Sequence, residues 1–190
     1  MARWGPDARG RLEGAALDLY SERGFEQTTV AEIAARAGLT ERTFFRHFAD
    51  KREVLFGGTK DLQELLVKGV AEAPGDLAPL DAVASALEVE AARFFSPERR
   101  DYSRRRGRIV AANAELRERE LMKLGALSAA LAGALRGRGT PDPAAGLAAD
   151  AGIAIFRAAF GRWTEETDGQ DFREHVQGAL GALRAVTAGK

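Results

Sequence analysis

Apolar residues recur every three or four positions through most of this chain, and no segment alternates as a strand does, so the pattern predicts helices throughout. The first, Asp7 to Arg23, sets Leu12, Ala15, Ala16 and Leu19 on one face; Gly24 stops it and Phe25 turns back onto that face. Thr29 and Glu32 form a capping box for a second, short helix striped by Val30, Ile33, Ala34 and Ala37 and closed by Gly38. A third opens at Thr40 and runs through Phe48. A second box, Asp50 with Glu53, starts a fourth at Lys51 that extends to Ala73, with Gly57-Gly58 inside it as a hinge or a close crossing.

Farther on, the periodicity predicts helices over Leu80–Phe95, from Ser96-Pro97 to Ala112, over Ala114–Arg136, Ala144–Thr164 and Phe172–Val186, the last opened by an Asp171/Glu174 box. The Gly137–Pro143 stretch is the clearest break. The expectation is an all-α chain of about nine helices.

Composition narrows the function classes. The 190 residues, 45% hydrophobic and 29% charged, belong to an ordinary globular protein. Without cysteine, thiolate catalysis, disulfides and cysteine-held metals drop out. The longest uncharged stretch, the 12 residues Leu124–Leu135, falls short of a membrane span of roughly 18–20 residues. The N-terminus does not read as a secretory signal, so a cytoplasmic protein is expected. Only two histidines occur, His47 and His175, far apart in sequence, with no phosphate loop, HExxH pair or GxSxG elbow, and neither an enzyme nor a cofactor is expected.

Gly38 leaves only Leu39 and Thr40 before the third helix, the spacing of a helix-turn-helix. At about 100° per residue with Glu41 at zero, Phe44 and Phe48 fall near 300° and 340°, while Arg42, Thr43, Arg46 and His47 spread over roughly 100–240°. One arc is core and the other is hydrogen-bond donors. Lys plus Arg equal Asp plus Glu at 28 each, yet between Arg36 and Arg52 the cations Arg36, Arg42, Arg46, Lys51 and Arg52 face only Glu41 and Asp50. A modest positive patch is focused on this module.

Here the sequence resembles the TetR family of bacterial transcriptional regulators, closely over GFEQTTVAEIAARAGLTERTFFRHFADKREVLF (Gly24 to Phe56) and more loosely over NAELRERELMK (Asn113 to Lys123). The resemblance implies a DNA-binding domain over residues 1–50 and a helical effector-binding and dimerisation domain over 51–190. By position, Thr28 and Thr29 would touch the DNA backbone, Arg42, Thr43 and Arg46 would face the groove, and His47 and Lys51 would hold phosphates. Arg36 and Thr40 complete the candidate set, and Phe45 stands where the family often has a tyrosine. Arg42 is the first choice for a base-reading side chain.

The helix over Ala144–Thr164 is apolar on two sides. Leu147, Ala151, Ala154, Ile155 and Ala158 line one stripe; Ile153, Phe156, Phe160 and Trp163 line the other. The last helix carries Phe172, Val176, Leu180 and Leu183 beside small residues including Gly178 and Gly181. These two helices are the expected homodimer interface, through Leu147, Ala151, Ala154, Ile155, Ala158, Val176, Gly178, Leu180, Gly181 and Leu183. Phe94, Phe95, Tyr102, Ile109, Met122, Phe156, Phe160 and Trp163 are candidates for an effector pocket, or equally for solid core. The arginine run over Glu98–Arg108 reads as a solvated helix face. The function expected is a ligand-responsive regulator, most simply a repressor, binding a palindromic operator as a homodimer; the rival is a helical small-molecule sensor with no transcriptional role.

Overall fold

The computed structural model describes residues 8–165 and 169–189, and among them the regular structure is helical. We number the helices α1 (Ala8–Arg23), α2 (Val30–Arg36), α3 (Glu41–His47), α4 (Thr59–Glu72), α5 (79–94), α6 (Arg100–Ala112), α7 (Ala114–Gly137), α8 (Ala144–Glu165) and α9 (Phe172–Thr187). Asp7, the expected start of α1, lies outside the described residues. The chain divides into two compact units, residues 1–58 with 102–120 and residues 59–101 with 121–190. The middle of the chain therefore returns to join the N-terminal helices.

In the first unit, the α1 stripe of Leu12, Ala15, Ala16 and Leu19 is buried. Phe25 meets the Tyr20 ring edge-on, with centroids 5.3 Å apart. Ile33, Phe44, Phe48, Val54 and Phe56 extend this core, and Ile109, Val110 and Leu116 complete it from α6 and α7. Removing a ring such as Phe44 from it would cost about 3–5 kcal/mol.

The expected fourth helix is interrupted. Asp50 Oδ1 accepts the main-chain N–H groups of Arg52 (2.8 Å) and Glu53 (3.1 Å), which tightens Glu53–Phe56 into a 3-10 turn. Gly57-Gly58 then separate that turn from α4 instead of lying within a helix. A Cβ at Gly57 would displace the carboxylate end of Glu13 and crowd the Arg9 guanidinium and the Phe48 ring.

In the second unit, Leu66, Val70, Leu87, Leu127, Leu131, Leu135, Trp163, Phe172 and Val176 form the core. Gly152 of α8 lies against Val83 of α5 so closely that a Cβ would overlap the valine. The α5 rod is α-helical over Pro79–Ala86, π-helical over Leu87–Ala91 and α-helical again over Ala92–Phe94. Arg138 donates to the carbonyls of Val70 (3.2 Å), Ala73 and Pro74 (2.7 Å), capping the C-terminal end of α4. By length and composition α8 is apolar enough to cross a membrane, but Ala145, Ala149, Gly152, Ile155, Ala159 and Trp163 face the unit's own core.

Candidate nucleic-acid interface

Local chemistry sets the geometry of α2, the turn and α3. Thr29 Oγ1 accepts the Glu32 N–H at 3.2 Å while Glu32 Oε2 accepts the Thr29 N–H at 2.9 Å, so the predicted capping box forms. Gly38 takes φ 65, which a residue bearing Cβ adopts only with strain, and Leu39 N–H donates back to Ala34 O at 2.8 Å. Thr40 caps α3, its hydroxyl accepting Thr43 N–H at 3.2 Å.

Two side chains from outside the motif brace this frame. Arg11 of α1 donates to the carbonyls of Ala37 and Gly38 at the turn. Lys51 Nζ donates to the carbonyls of Phe25 (3.0 Å), Glu26 (3.3 Å) and Thr28 (3.1 Å) and lies 4.4 Å from the centre of the Phe25 ring. An ammonium has three protons, and here three carbonyls take them. Lys51, expected on a phosphate, is here engaged with the loop before α2. Tyr20 Oη donates to Lys51 O at 2.6 Å, and burial, reinforced by the Asp50 charge, pushes its phenol pKa up, so it stays a neutral donor.

The division of α3 into an inner and an outer arc holds. Phe44 and Phe48 are buried, with centroids 5.5 Å apart. Arg42, Arg46 and His47 are exposed, Thr43 is half-buried, and Phe45 stands 55% exposed at the edge of Phe44. Arg46 Nη2 lies 3.4 Å from His47 Nε2, and Arg42 has no hydrogen bond or ion pair among the described residues.

Other expected contacts are placed differently. Thr28 is 1% exposed and its hydroxyl donates to Gly24 O at 2.8 Å, so it supports the loop from inside. Arg36 is gripped by both carboxylate oxygens of Glu22 at 3.0 and 2.9 Å. Thr29 and Thr40 stay on the surface, with their hydroxyls engaged as caps.

The arginine run is not a bare solvated face. Arg105 pairs with Asp18 at 2.7 Å. Arg106 donates to Leu55 O at 2.7 Å and Glu120 at 3.0 Å, and covers the Phe56 ring at 4.8 Å. Arg119–Glu53 (2.6 Å) and Arg52–Glu115 (2.7 Å) add to the same unit. The sequence signal for these pairs was only the abundance of arginine, which names no partner.

The candidate pocket residues separate into groups. Phe94, Phe95, Phe156, Phe160 and Trp163 gather in the second unit, joined by Phe172. Ile109 belongs to the core of the first unit and Tyr102 packs against it, as the solid-core alternative has it, whereas Met122 is 59% exposed and fits neither alternative. Of the expected interface residues, Ile155 and Val176 fill their own subunit's core, because α8 and α9 turn those stripes inward. Leu147 (67% exposed), Ala154, Ala158, Gly178 and Gly181 are exposed, and Ala151, Leu180 and Leu183 are half-buried.

A capped two-helix unit with a greasy inner arc and outward arginines on its second helix defines a helix-turn-helix DNA-binding protein. Residues 14–56 match the profile of the bacterial regulatory proteins of the tetR family, and residues 77–188 match that of the MftR C-terminal domain. The chain belongs to the TetR family of transcriptional regulators. It is 35% identical over 90 residues to the regulator TcmR of Streptomyces glaucescens, covering 47% of this chain and 40% of TcmR. It is 29% identical over 114 residues to CymR of Pseudomonas putida, covering 60% of this chain and 55% of CymR. The matched stretch thus spans about half the length of these curated relatives, which are transcriptional regulators. Two solved structures share the fold: a TetR-family regulator from Syntrophomonas wolfei (TM-score 0.63, 16% identity, 95% of both chains) and SmeT bound to triclosan (TM-score 0.62, 20% identity, 92% of this chain and 90% of SmeT).

Proposed function

We propose that this regulator is a cytoplasmic, ligand-responsive repressor that binds a palindromic operator as a homodimer, with α3 in the major groove. The observation that carries the reading is the outer arc of α3, where Arg42 has no partner among the described residues and Arg46 touches only His47. At about 1.5 Å per residue, seven residues of helix reach only a few base pairs. Two heads on one dimer make the second contact intramolecular and strengthen binding without new chemistry. Supporting the dimer, Leu147, Ala154, Ala158, Gly178, Gly181 and Val186 leave apolar and small-residue surface uncovered on α8 and α9. Residues 1–58 with 102–120 form the reading unit, and residues 59–101 with 121–190 the sensing and pairing unit.

Arg42 reads a base, Arg46 and His47 lie along the backbone, Thr43 lines the groove, and Phe45 packs against sugar. The test is binding to fragments from around the protein's own gene across a range of salt, with and without candidate effectors. Arg42→Ala should cost about 1–3 kcal/mol against the best site and flatten discrimination between sites. Equal binding to all sequences by the unmodified protein, or a monomer by sedimentation at the binding concentrations, would overturn the proposal.

A further inference from the structure

Helix α1 reaches the turn between α2 and α3 with one long side chain. Arg11, an exposed residue of α1, brings its Nη2 to the carbonyl of Ala37 and, at 3.4 Å, to that of Gly38, 26 and 27 residues later in the chain. Ala37 is the C-terminal cap of α2, and Gly38 is the positive-φ residue that follows it. The last carbonyls of a helix have no partner inside it, and a cation placed there also answers the negative end of the helix dipole. The other links from α1 to α2, Arg23 to Glu32 and Glu22 to Arg36, are surface ion pairs, a kind that contributes little. Arg11 bonds the turn itself.

That contact bears on α3 because the turn has no slack. Only Leu39 separates Gly38 from Thr40, the residue that caps α3, and Leu39 N–H is already committed to Ala34 O at 2.8 Å. Gly38 also makes room for the arginine, since a Cβ there would lie 2.8 Å from Arg11 Nη2. The glycine meets two requirements at once, a φ of 65 and the close approach of a guanidinium. Arg42 follows the Thr40 cap by two residues, and Arg46 lies about one helical turn beyond Arg42. A shift of the Gly38 carbonyl is therefore carried to both, and recognition needs side chains held within a fraction of an ångström by their supporting shell.

We propose that Arg11 is a positioning residue for DNA recognition: by holding the Ala37 and Gly38 carbonyls it fixes where α3 starts, and so where Arg42 and Arg46 stand against the groove, without itself touching DNA. The inference rests on the reading above that α3 enters the groove. The rival role for an exposed arginine beside a helix-turn-helix is a phosphate contact, and the two differ in what removal does. A lost phosphate contact weakens all sequences and lowers the salt slope by about 0.9. A misplaced reading helix loses the right sequence most.

The test uses the full-length Arg11→Met and Arg11→Lys proteins, at a temperature where each is folded. Each is titrated with the best-bound fragment from around the protein's own gene and with a scrambled duplex of the same length, across a range of salt. Arg11→Met should lose at least about tenfold on the first and less than about twofold on the second, with an unchanged salt slope on the scrambled duplex. Arg11→Lys, which keeps the charge but not the fork, should recover part of the loss. Amide exchange at Leu39 should quicken by about tenfold in Arg11→Met, while Ile33, whose N–H bonds Thr29 O at 3.1 Å within the capped start of α2, should keep its rate. Should Arg11→Met not fold, Arg11→Lys carries the same comparison of the two duplexes.

An equal loss on both duplexes with a lower slope would make Arg11 a phosphate contact and overturn the proposal. Faster exchange at Leu39 with discrimination intact would leave Arg11 a structural tie alone, which overturns it too. Equal binding of both duplexes by the unmodified protein would refute the reading of α3 and this inference with it; discrimination that the unmodified protein shows and Arg11→Met retains would refute this inference and leave that reading standing.

Discussion

Lys51 separates two accounts of the reading unit, and Lys51→Met tests them. Methionine keeps the apolar stem and deletes the ammonium, leaving the carbonyls of Phe25, Glu26 and Thr28 without that donor. A hydrogen bond to a charged group contributes about 1.5–3 kcal/mol, and an exposed cation–π contact about 0.5–1 kcal/mol. The three bonds share one half-buried ammonium, so they do not add, and water recovers part of the loss. A net loss of about 2 kcal/mol is expected, or a Tm lower by about 4–8 °C for a chain of this size. Urea unfolding measures the first, and a salt series of operator binding measures the other account. Each phosphate contact adds about 0.9 to the slope of log K against log salt, so a phosphate-binding lysine would lower that slope when removed. We expect reduced stability with an unchanged slope at temperatures where the variant is folded. Unchanged stability with a reduced slope would refute the tie and restore Lys51 to the DNA.

Three further outcomes follow from named contacts. Gly152→Ala should destabilise the protein by about 1–3 kcal/mol through overlap with Val83, and Val83→Ala in the same chain should recover part of that in chemical denaturation. Arg106→Ala removes the donor to Leu55 O and the cover of Phe56, and should cost about 1–3 kcal/mol by the same measurement, while Arg108→Ala, at an exposed position of the same helix, serves as the comparison. The Asp50 carboxyl is held below the ordinary carboxylate range, chiefly by its hydrogen bond from Arg52 and then by the N–H groups of Glu53 and Arg52. A depressed folded-state pKa means its contribution is complete above about pH 3.9, the unfolded value, and fades as pH falls through the lower folded value. The cost of Asp50→Asn in urea midpoints should therefore be constant from neutral pH down to about pH 5 and shrink below about pH 4.

What could be read in the sequence was what short range decides. The boxes at Thr29/Glu32 and Asp171/Glu174, the stop at Gly38 and the inner arc of α3 each depend on residues within one or two helical turns, and each forms. The carbonyl partners of Lys51 were illegible because they lie 23 to 26 residues earlier in the chain. Charge and position alone pointed it outward. Ile155 and Val176 were placed on the wrong side because a helix with two apolar stripes does not say which stripe its own subunit covers. Gly152 carried no signal at all until Val83 was beside it. Gly57-Gly58 read as helix interior, since nothing in the pattern distinguishes a 3-10 turn from the first turn of an α-helix.

The cations around the helix-turn-helix divide by what they touch, and that division is the strongest argument for where DNA lies. Arg11 serves the carbonyls of the turn, Arg23 meets Glu32, Arg36 meets Glu22, Lys51 serves the loop, and Arg52 meets Asp50 and Glu115. Each of those charges is answered within the reading unit. On the outer arc of α3, Arg42 is not answered by any described residue, and Arg46 has only the His47 ring. An arginine-rich chain can place a guanidinium anywhere, so arginine content alone says little. Among the described residues up to Gly58, the other cations have partners and two are left on one side of one helix, around an exposed Phe45, a face whose counter-charge would come from outside. On the proposed function, a duplex would supply that counter-charge as phosphate, a guanine edge would match the fork of Arg42, and a thymine methyl or a sugar would match the Phe45 ring.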